Sequence, residues 1–413
     1  MATTDPLAQP ITLPCGVVLK NRFAKAPLTE GLADGMNRAT EGHVRLYEKW
    51  AQGGAGLVVT GNVQIDRRFL ERPGNVVIDG NGGLEQLKVY AKAGTQNDTK
   101  LFMQISHPGR QTPRRVSAHP VAPSAIKLNL PESAFAPPRA LELNEIADII
   151  RRFAHVAKTA QDAGFSGVQI HAAHGYLISE FLSPLANQRT DQYGGPLENR
   201  ARLLLDVVRA IRKEVGPKFP ITAKLNSSDF QQGGFDNSEC LQLVQWLERE
   251  GLDLLEISGG NYEEPSMMGS KVNEAGEIAK ESTVKREAYF LDYAARIRAV
   301  TRIPLMVTGG FRSRAAMEAA LASKALDIIG LGRPMCVETD LPNRLLSRQT
   351  AAGGAYEKTI APAKAGLGWF CLQLIRIGHG QAPDIAMTGG EAIERYVKNE
   401  SETADRLIDR KAA

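Results

Sequence analysis

Eight short runs of apolar and β-branched residues, each followed by a stretch of helical texture, constrain this chain more than any other feature. They are Phe23–Leu28, Leu57–Gly61, Leu101–Ile105, Val168–Ile170, Ile221–Leu225, Leu254–Ile257, Leu305–Thr308 and Ile328–Leu331. Runs this short and this continuously apolar read as strands covered on both faces, the environment of a parallel sheet. The segments between them carry a 3.6-residue period. One starts at Asn144, a candidate N-cap, sets Ile146, Ile149, Ile150, Phe153, Ala157 and Ala160 on one face, and stops at Gly164. A second runs from Glu198 through Leu203, Leu204, Val207, Val208 and Ile211 to Gly216, and a third covers Leu241–Glu250.

Strands alternating with helices over most of the chain predict an α/β fold, a single (β/α)8 TIM barrel. The alternative is an open doubly wound sheet, which would want a Gly-x-Gly-x-x-Gly turn after its first strand. None follows Phe23–Leu28. The barrel is expected over residues 1–350 and a helical extension over 351–413, with helical texture at Leu367–Ile377 and Glu391–Lys398. That extension would pack on the barrel or on a neighbouring subunit, so a homo-oligomer stays open. The proline-rich stretch Arg110–Leu143 after the third strand reads as a lid, because so long a loop in a compact domain is usually functional.

Charge and cysteine usage exclude several classes. Lys and Arg total 50 against 46 Asp and Glu, a balance that suits neither nucleic acid nor a membrane surface as partner. No segment reaches the ~20 apolar residues of a spanning helix, and the N-terminus lacks the pattern of a signal peptide. Cys15, Cys240, Cys336 and Cys371 are scattered, which argues against zinc ribbons and iron–sulfur clusters and fits a reducing, cytoplasmic setting.

In a barrel the active site forms at the C-terminal ends of the strands. Those ends carry Pro27-Leu28-Thr29, Gly61-Asn62, Gln104 with His107, then His171, His174 and Tyr176, then Lys224 and Asn226, Ser258-Gly259-Gly260, Gly309-Gly310 and Gly332-Arg333. Each end is polar or small. Two imidazoles and a phenol after the fourth strand suit holding a carbonyl oxygen and delivering a proton beside it. A metal at His171 and His174 would want a third ligand, and the sequence nominates none, so no metal is expected. Glycine pairs after strands seven and eight, with Arg333, fit a phosphate held by backbone N–H groups and a bidentate cation. Arg189, Asp191 and Arg200 read as loop-anchoring ion pairs.

Asn21–Thr29 (NRFAKAPLT), Gln104–Arg110 (QISHPGR), Gly167–Arg200 (GVQIHAAHGYLISEFLSPLANQRTDQYGGPLENR), Ser258–Tyr262 (SGGNY) and Leu305–Pro334 resemble the old yellow enzyme family of FMN-dependent ene-reductases. The resemblance spans roughly residues 8–350 in order. It implies non-covalent FMN across the barrel mouth, with NADPH or NADH as hydride donor and a small unsaturated carbonyl compound as substrate. It also implies site residues. The phosphate would rest on Gly309, Gly310, Gly332 and Arg333. Gln104 would meet the pyrimidine edge, Ala26, Pro27, Leu28 and Thr29 the N5/O4 side, and Lys224 the N1 side, while Gly61 would leave room for the ring. His171 and His174 would hold the substrate oxygen and Tyr176 would protonate carbon. Lys224 stands where most of the family has arginine, so the charge stays but the planar fork is lost. Gln169 stands where an acidic residue is common, and Thr29 replaces the cysteine of one subclass. The iron–sulfur and second nucleotide domains of dienoyl-CoA reductase relatives are not expected here.

Two further readings remain at this stage. One is a dehydrogenase, demethylase or redox-neutral isomerase on the same flavin barrel, since a fold does not fix chemistry. The other is a flavin-free aldolase or isomerase acting through Lys224 on a phosphorylated substrate.

Overall fold

A computed structural model describes residues 5–263 and 290–407. Eight parallel strands close into a barrel: β1 (Phe23–Lys25), β2 (Leu57–Gln64), β3 (Lys100–Ser106), β4 (Gly167–Ala172), β5 (Ile221–Asn226), β6 (Leu254–Ser258), β7 (Leu305–Thr308) and β8 (Ile328–Leu331). Neighbours in sequence are neighbours in the barrel. Closure comes where β1 pairs with β8 (Ala24 with Gly330) and with β2 (Ala24 with Leu57). The chain therefore folds as the (β/α)8 barrel expected from its pattern, not as an open sheet.

Three strand ends differ from the sequence reading by more than one residue. β1 stops at Lys25 rather than Leu28, because Pro27 has no N–H to give the ladder. β4 runs on to His171 and Ala172, which find in-register partners in Lys224 and Leu225. β2 continues to Gln64 past an irregularity between Val59 and Asn62.

Helices cover the outside, apolar face inward: α1 (Glu41–Gln52), α2 (Leu143–Ala163), α3 (Arg202–Val215) and α4 (Asn237–Arg249). Ile146, Phe153, Ala157 and Ala160 of α2 are fully buried, as their spacing requires, and Gly164 ends the helix at φ +92°. Asn144 is not its cap. The helix starts one residue earlier, where the Glu145 carboxylate accepts the Glu142 N–H at 2.9 Å. The pattern from Glu198 splits into a turn at Leu197–Arg200 and then α3, and α4 begins four residues before Leu241 because the Asp236 carboxylate caps it through the Glu239 N–H at 2.9 Å. No helix among the described residues is long and apolar enough to cross a membrane.

The Arg110–Leu143 segment contains one short strand pairing, Val121–Ala122 with Arg139–Ala140, and an isolated bridge between Pro113 and Phe135. Arg189 pins it, donating to the carbonyls of Pro123 (2.9 Å) and Leu141 (2.6 Å) while paired with Asp191 at 2.5 Å. At the chain's end α5 (Gly366–Gly378) packs on α1, and α6 (Gly389–Asp405) packs on α5. From α6 a buried carboxylate, Glu400, reaches Arg72 at 2.6 Å, and Arg72 donates in turn to the Thr29 carbonyl at 3.1 Å.

Candidate active site

At the C-terminal mouth β4 delivers His171 inside the strand. The chain then turns sharply through His174 (φ +64°) and Gly175 (φ +75°), so His174 folds back beside His171 instead of continuing a helical turn. The His171 ring stands edge-on to His174 (centroids 5.1 Å) and to Tyr176 (4.7 Å). His171 Nδ1 accepts the Ala173 N–H at 3.3 Å, which in a neutral ring leaves the proton on Nε2. His174 Nε2 meets Ser258 Oγ at 2.6 Å, and its backbone N–H donates to Asn226 Oδ1. Burial, reinforced by the positive charge of Lys224, holds both imidazoles well below the usual histidine range. Both are therefore neutral, with one N–H each.

Below them lies a buried polar chain. Lys224 Nζ pairs with Glu256 Oε1 at 3.1 Å, and Thr308 Oγ1 donates to the same oxygen at 2.7 Å. Gln169 Nε2 donates to Glu256 Oε2 (2.9 Å), and Gln104 Nε2 donates to Gln169 Oε1 (2.7 Å). Lys224 and Gln104, both singled out from sequence, thus meet through Glu256 and Gln169. Glu256 was missed. The signal was available, because inward-facing residues of a barrel strand alternate, and Glu256 lies two before Ser258 as Gln169 lies two before His171.

At the end of β1, Ala26 is buried, and its N–H donates to the Leu331 carbonyl at 2.9 Å. Pro27, Leu28 and Thr29 are half-buried at the rim. Thr29 Oγ1 donates to Glu71 Oε2 at 2.8 Å, and Asn62 Nδ2 donates to the same oxygen at 2.7 Å. Glu71 comes from the loop after β2 and belongs to no motif that would have flagged it. A Cβ on Gly61 would stand 2.6 Å from Thr29 Cα and 2.5 Å from the Glu30 carboxylate. The β1 loop therefore demands glycine here, whatever lies above it.

After β7 and β8 the backbone opens. Gly309 and Gly310 have φ +147° and +79°, a path that side chains resist, and a Cβ on Gly332 would meet nothing within 4 Å. Arg333 is half-buried, and burial lowers its pKa. The carboxylate whose charge acts on it, Glu357, is already paired with Arg312 at 2.9 Å. Two glycine turns beside a desolvated guanidinium make a seat for an anion. Buried polar atoms at the ends of β2 and β3 (Asn62 Oδ1 and Ser106 Oγ) accept or donate nothing. An anionic cofactor with a polar ring edge fits this donor set.

Two other places fall short as centres of chemistry. Arg200 pairs with Glu239 and holds the Leu182 carbonyl, which makes it a loop anchor, as read from the sequence. A cavity of about 440 Å³ between the loop after β2 and the start of α2 is lined by Asp66, Arg68, His107, Asp148 and Arg152. Its arginines are spent on its own carboxylates: Arg68 on Asp66 and Arg152 on Asp148, each at 2.6 Å, and Arg151 on Asp148 at 3.0 Å.

Comparison with known proteins points one way. The model of the NADH:flavin oxidoreductase / NADH oxidase family matches residues 6–351. The NADH-dependent flavin oxidoreductase iliE of Hypocrea jecorina is 37% identical over 358 residues, 82% of this chain and 88% of that protein. Among solved structures, the old yellow enzyme homologue from Zymomonas mobilis superposes with a TM-score of 0.70 at 29% identity, covering 86% of this chain and 95% of that one. A 2-naphthoyl-CoA reductase complex superposes with a TM-score of 0.80 at 25% identity, covering 91% of this chain but 58% of that longer one.

Proposed function

We propose, from the premise that this chain belongs to the NADH:flavin oxidoreductase / NADH oxidase family with FMN as cofactor and NAD(P)H as electron donor, that it reduces the C=C bond of small α,β-unsaturated carbonyl compounds. The single observation carrying this reading is the cluster of His171, His174 and Tyr176, two neutral imidazoles and a protonated phenol within ring contact at the barrel mouth.

Bound FMN supplies the hydride. The chain's own part follows from its residues. Gly309, Gly310, Gly332 and Arg333 seat the phosphate, while Gln104, Lys224, Thr29 and the backbone of Ala26, Pro27 and Leu28 hold the ring. Lys224 brings a cation to the N1 edge with Glu256 already neutralising it, so it acts less as a net charge than as a directed N–H donor. His171 through Nε2–H, and His174 through Nδ1–H with its Nε2 accepting from Ser258, would each offer one N–H to the substrate oxygen, where negative charge grows as the β-carbon is reduced. Neutral rings suit this, since a donor is needed and a buried permanent charge is not. Tyr176, whose phenol burial keeps protonated, gives a proton to the α-carbon.

The test is an anaerobic visible spectrum of the purified protein, taken after NADPH or NADH and again after cyclohexenone. A flavin band that bleaches and then recovers supports the reading. Bleaching without recovery by any enone would move the chemistry to dehydrogenation, demethylation or isomerisation on the same scaffold. Tyr176→Phe is expected to spare bleaching and to slow recovery about 100-fold or more, the usual worth of a positioned general acid.

A further inference from the structure

Tyr176 does not stand alone. Its Oη lies 2.8 Å from Oη of Tyr262, with ring centroids 5.9 Å apart at 72°. The two phenols arrive from different strand ends, Tyr176 after β4 and Tyr262 after β6, so the contact is built by the barrel and not by local sequence. Tyr262 is firmly placed. Its ring packs against Phe135 of the long segment after β3, and the adjacent Glu263 pairs with Arg110 at 2.9 Å and accepts the Asn129 N–H at 2.7 Å. Glu71, anchored by Thr29 and Asn62, acts on both hydroxyls.

A phenol that protonates carbon is left as phenolate. In a buried site beside a carboxylate that anion is costly unless a donor within hydrogen-bond reach quenches it. The Tyr262 hydroxyl is in that position. We propose that Tyr262 is the positioning and proton-return partner of Tyr176 in the reaction. As the Tyr176 O–H bond breaks and the substrate C–H bond forms, the Tyr262 proton moves onto Tyr176 Oη, and solvent water restores the Tyr262 O–H. One solvent proton is consumed per turnover, and no electrons move in the relay. The inference rests on the proposed role of Tyr176 as proton donor.

Burial first, then the Glu71 charge, pushes the Tyr176 phenol up, and the same two causes act on Tyr262. Among the described residues, the groups facing Tyr176 are Glu71, Tyr262 and the neutral ring of His171. Both hydroxyls therefore stay loaded across neutral pH, ready for successive proton steps.

The experiment is stopped-flow reoxidation of the NAD(P)H-reduced holoenzyme by cyclohexenone in H2O/D2O mixtures, for wild type, Tyr262→Phe and Tyr176→Phe. Tyr262→Phe is expected to leave reduction by NAD(P)H unchanged and to slow reoxidation about tenfold. It should also turn a bowed dependence on deuterium fraction, with two protons in flight, into a straight one. An unchanged rate with an unchanged curvature overturns the proposal. If Tyr176→Phe itself reoxidises normally, the reading of Tyr176 as acid has failed, an outcome distinct from failure of the relay alone. Should Tyr262→Phe not retain FMN, Glu71→Gln decides, since it keeps the hydrogen bonds to Thr29 and Asn62 but removes the charge. The alkaline limb of the reoxidation rate should then move to lower pH, and an unmoved limb overturns the coupling of this cluster to Tyr176.

Discussion

Lys224 shows how much a single position can carry. Its ammonium is buried against Glu256, itself fully buried, so either partner alone would be an uncompensated charge in the barrel. Lys224→Met is expected to cost on the order of 3–5 kcal/mol of stability, the usual penalty for breaking a buried pair. The double variant Lys224→Met/Glu256→Gln should recover most of that loss while still binding FMN more weakly. Thermal unfolding and flavin titration on both variants separate the two effects, and a double variant that recovers stability and affinity alike would remove Lys224 from the flavin contacts. His171→Ala, in turn, should abolish the long-wavelength band that phenols give with the bound flavin. Undiminished phenol binding would mean that the oxygen site lies elsewhere. At this scale the sequence was legible where chemistry-bearing residues sit together in one block, as in His171, His174 and Tyr176. It was illegible where partners meet only across the barrel. Strand alternation marks Glu256 as inward-facing but does not name Lys224, one strand over, as its partner, and Glu71 meets Thr29 from a loop 42 residues away.

Elements were easier to find than to delimit. All eight strands lay where apolar runs predicted them, because burial on both faces leaves a plain mark in sequence. Their ends followed from backbone hydrogen bonding instead, as Pro27 shows at β1 and the His171–Lys224 register shows at β4. The helical texture of the last sixty or so residues was equally plain, but its destination was not. α6 sends Glu400 into a buried pair with Arg72, whose guanidinium also lies 5.3 Å from the Tyr396 ring and bonds the Thr29 carbonyl. Glu400→Ala is therefore expected to destabilise the fold by about 3–5 kcal/mol. It should also weaken FMN binding at a distance, since Arg72, which bonds the Thr29 carbonyl, loses the carboxylate that holds it. A change in melting temperature with unaltered flavin affinity would confine α6 to a structural role.

For the molecule as a whole, buried histidines set the acid limit. His43, His107, His171 and His174 are all depressed by burial, His107 to about 4. A histidine whose folded pKa lies below its unfolded value of about 6.5 binds fewer protons folded than unfolded between those two values. Stability therefore falls as pH drops through that window, by about 1.4 kcal/mol per pH unit for each such group. Glu180, pushed up to about 8 by burial, acts in the opposite sense above the usual carboxylate range, as does Asp229, and these two are outnumbered. The melting temperature should drop steadily from pH 7 to pH 5, before most carboxylates titrate. A flat profile over that range would mean that the histidines are not buried neutral.

The tie between Glu400 and Arg72 also has a consequence for how the protein is made. Every barrel strand has been synthesised once Leu331 leaves the ribosome, yet the counter-ion for a guanidinium beside the cofactor-facing rim is still to come. A nascent chain can close its sheet and still present an unneutralised Arg72, so the rim that Arg72 bonds at Thr29 is expected to reach its final packing only after α6 has been made.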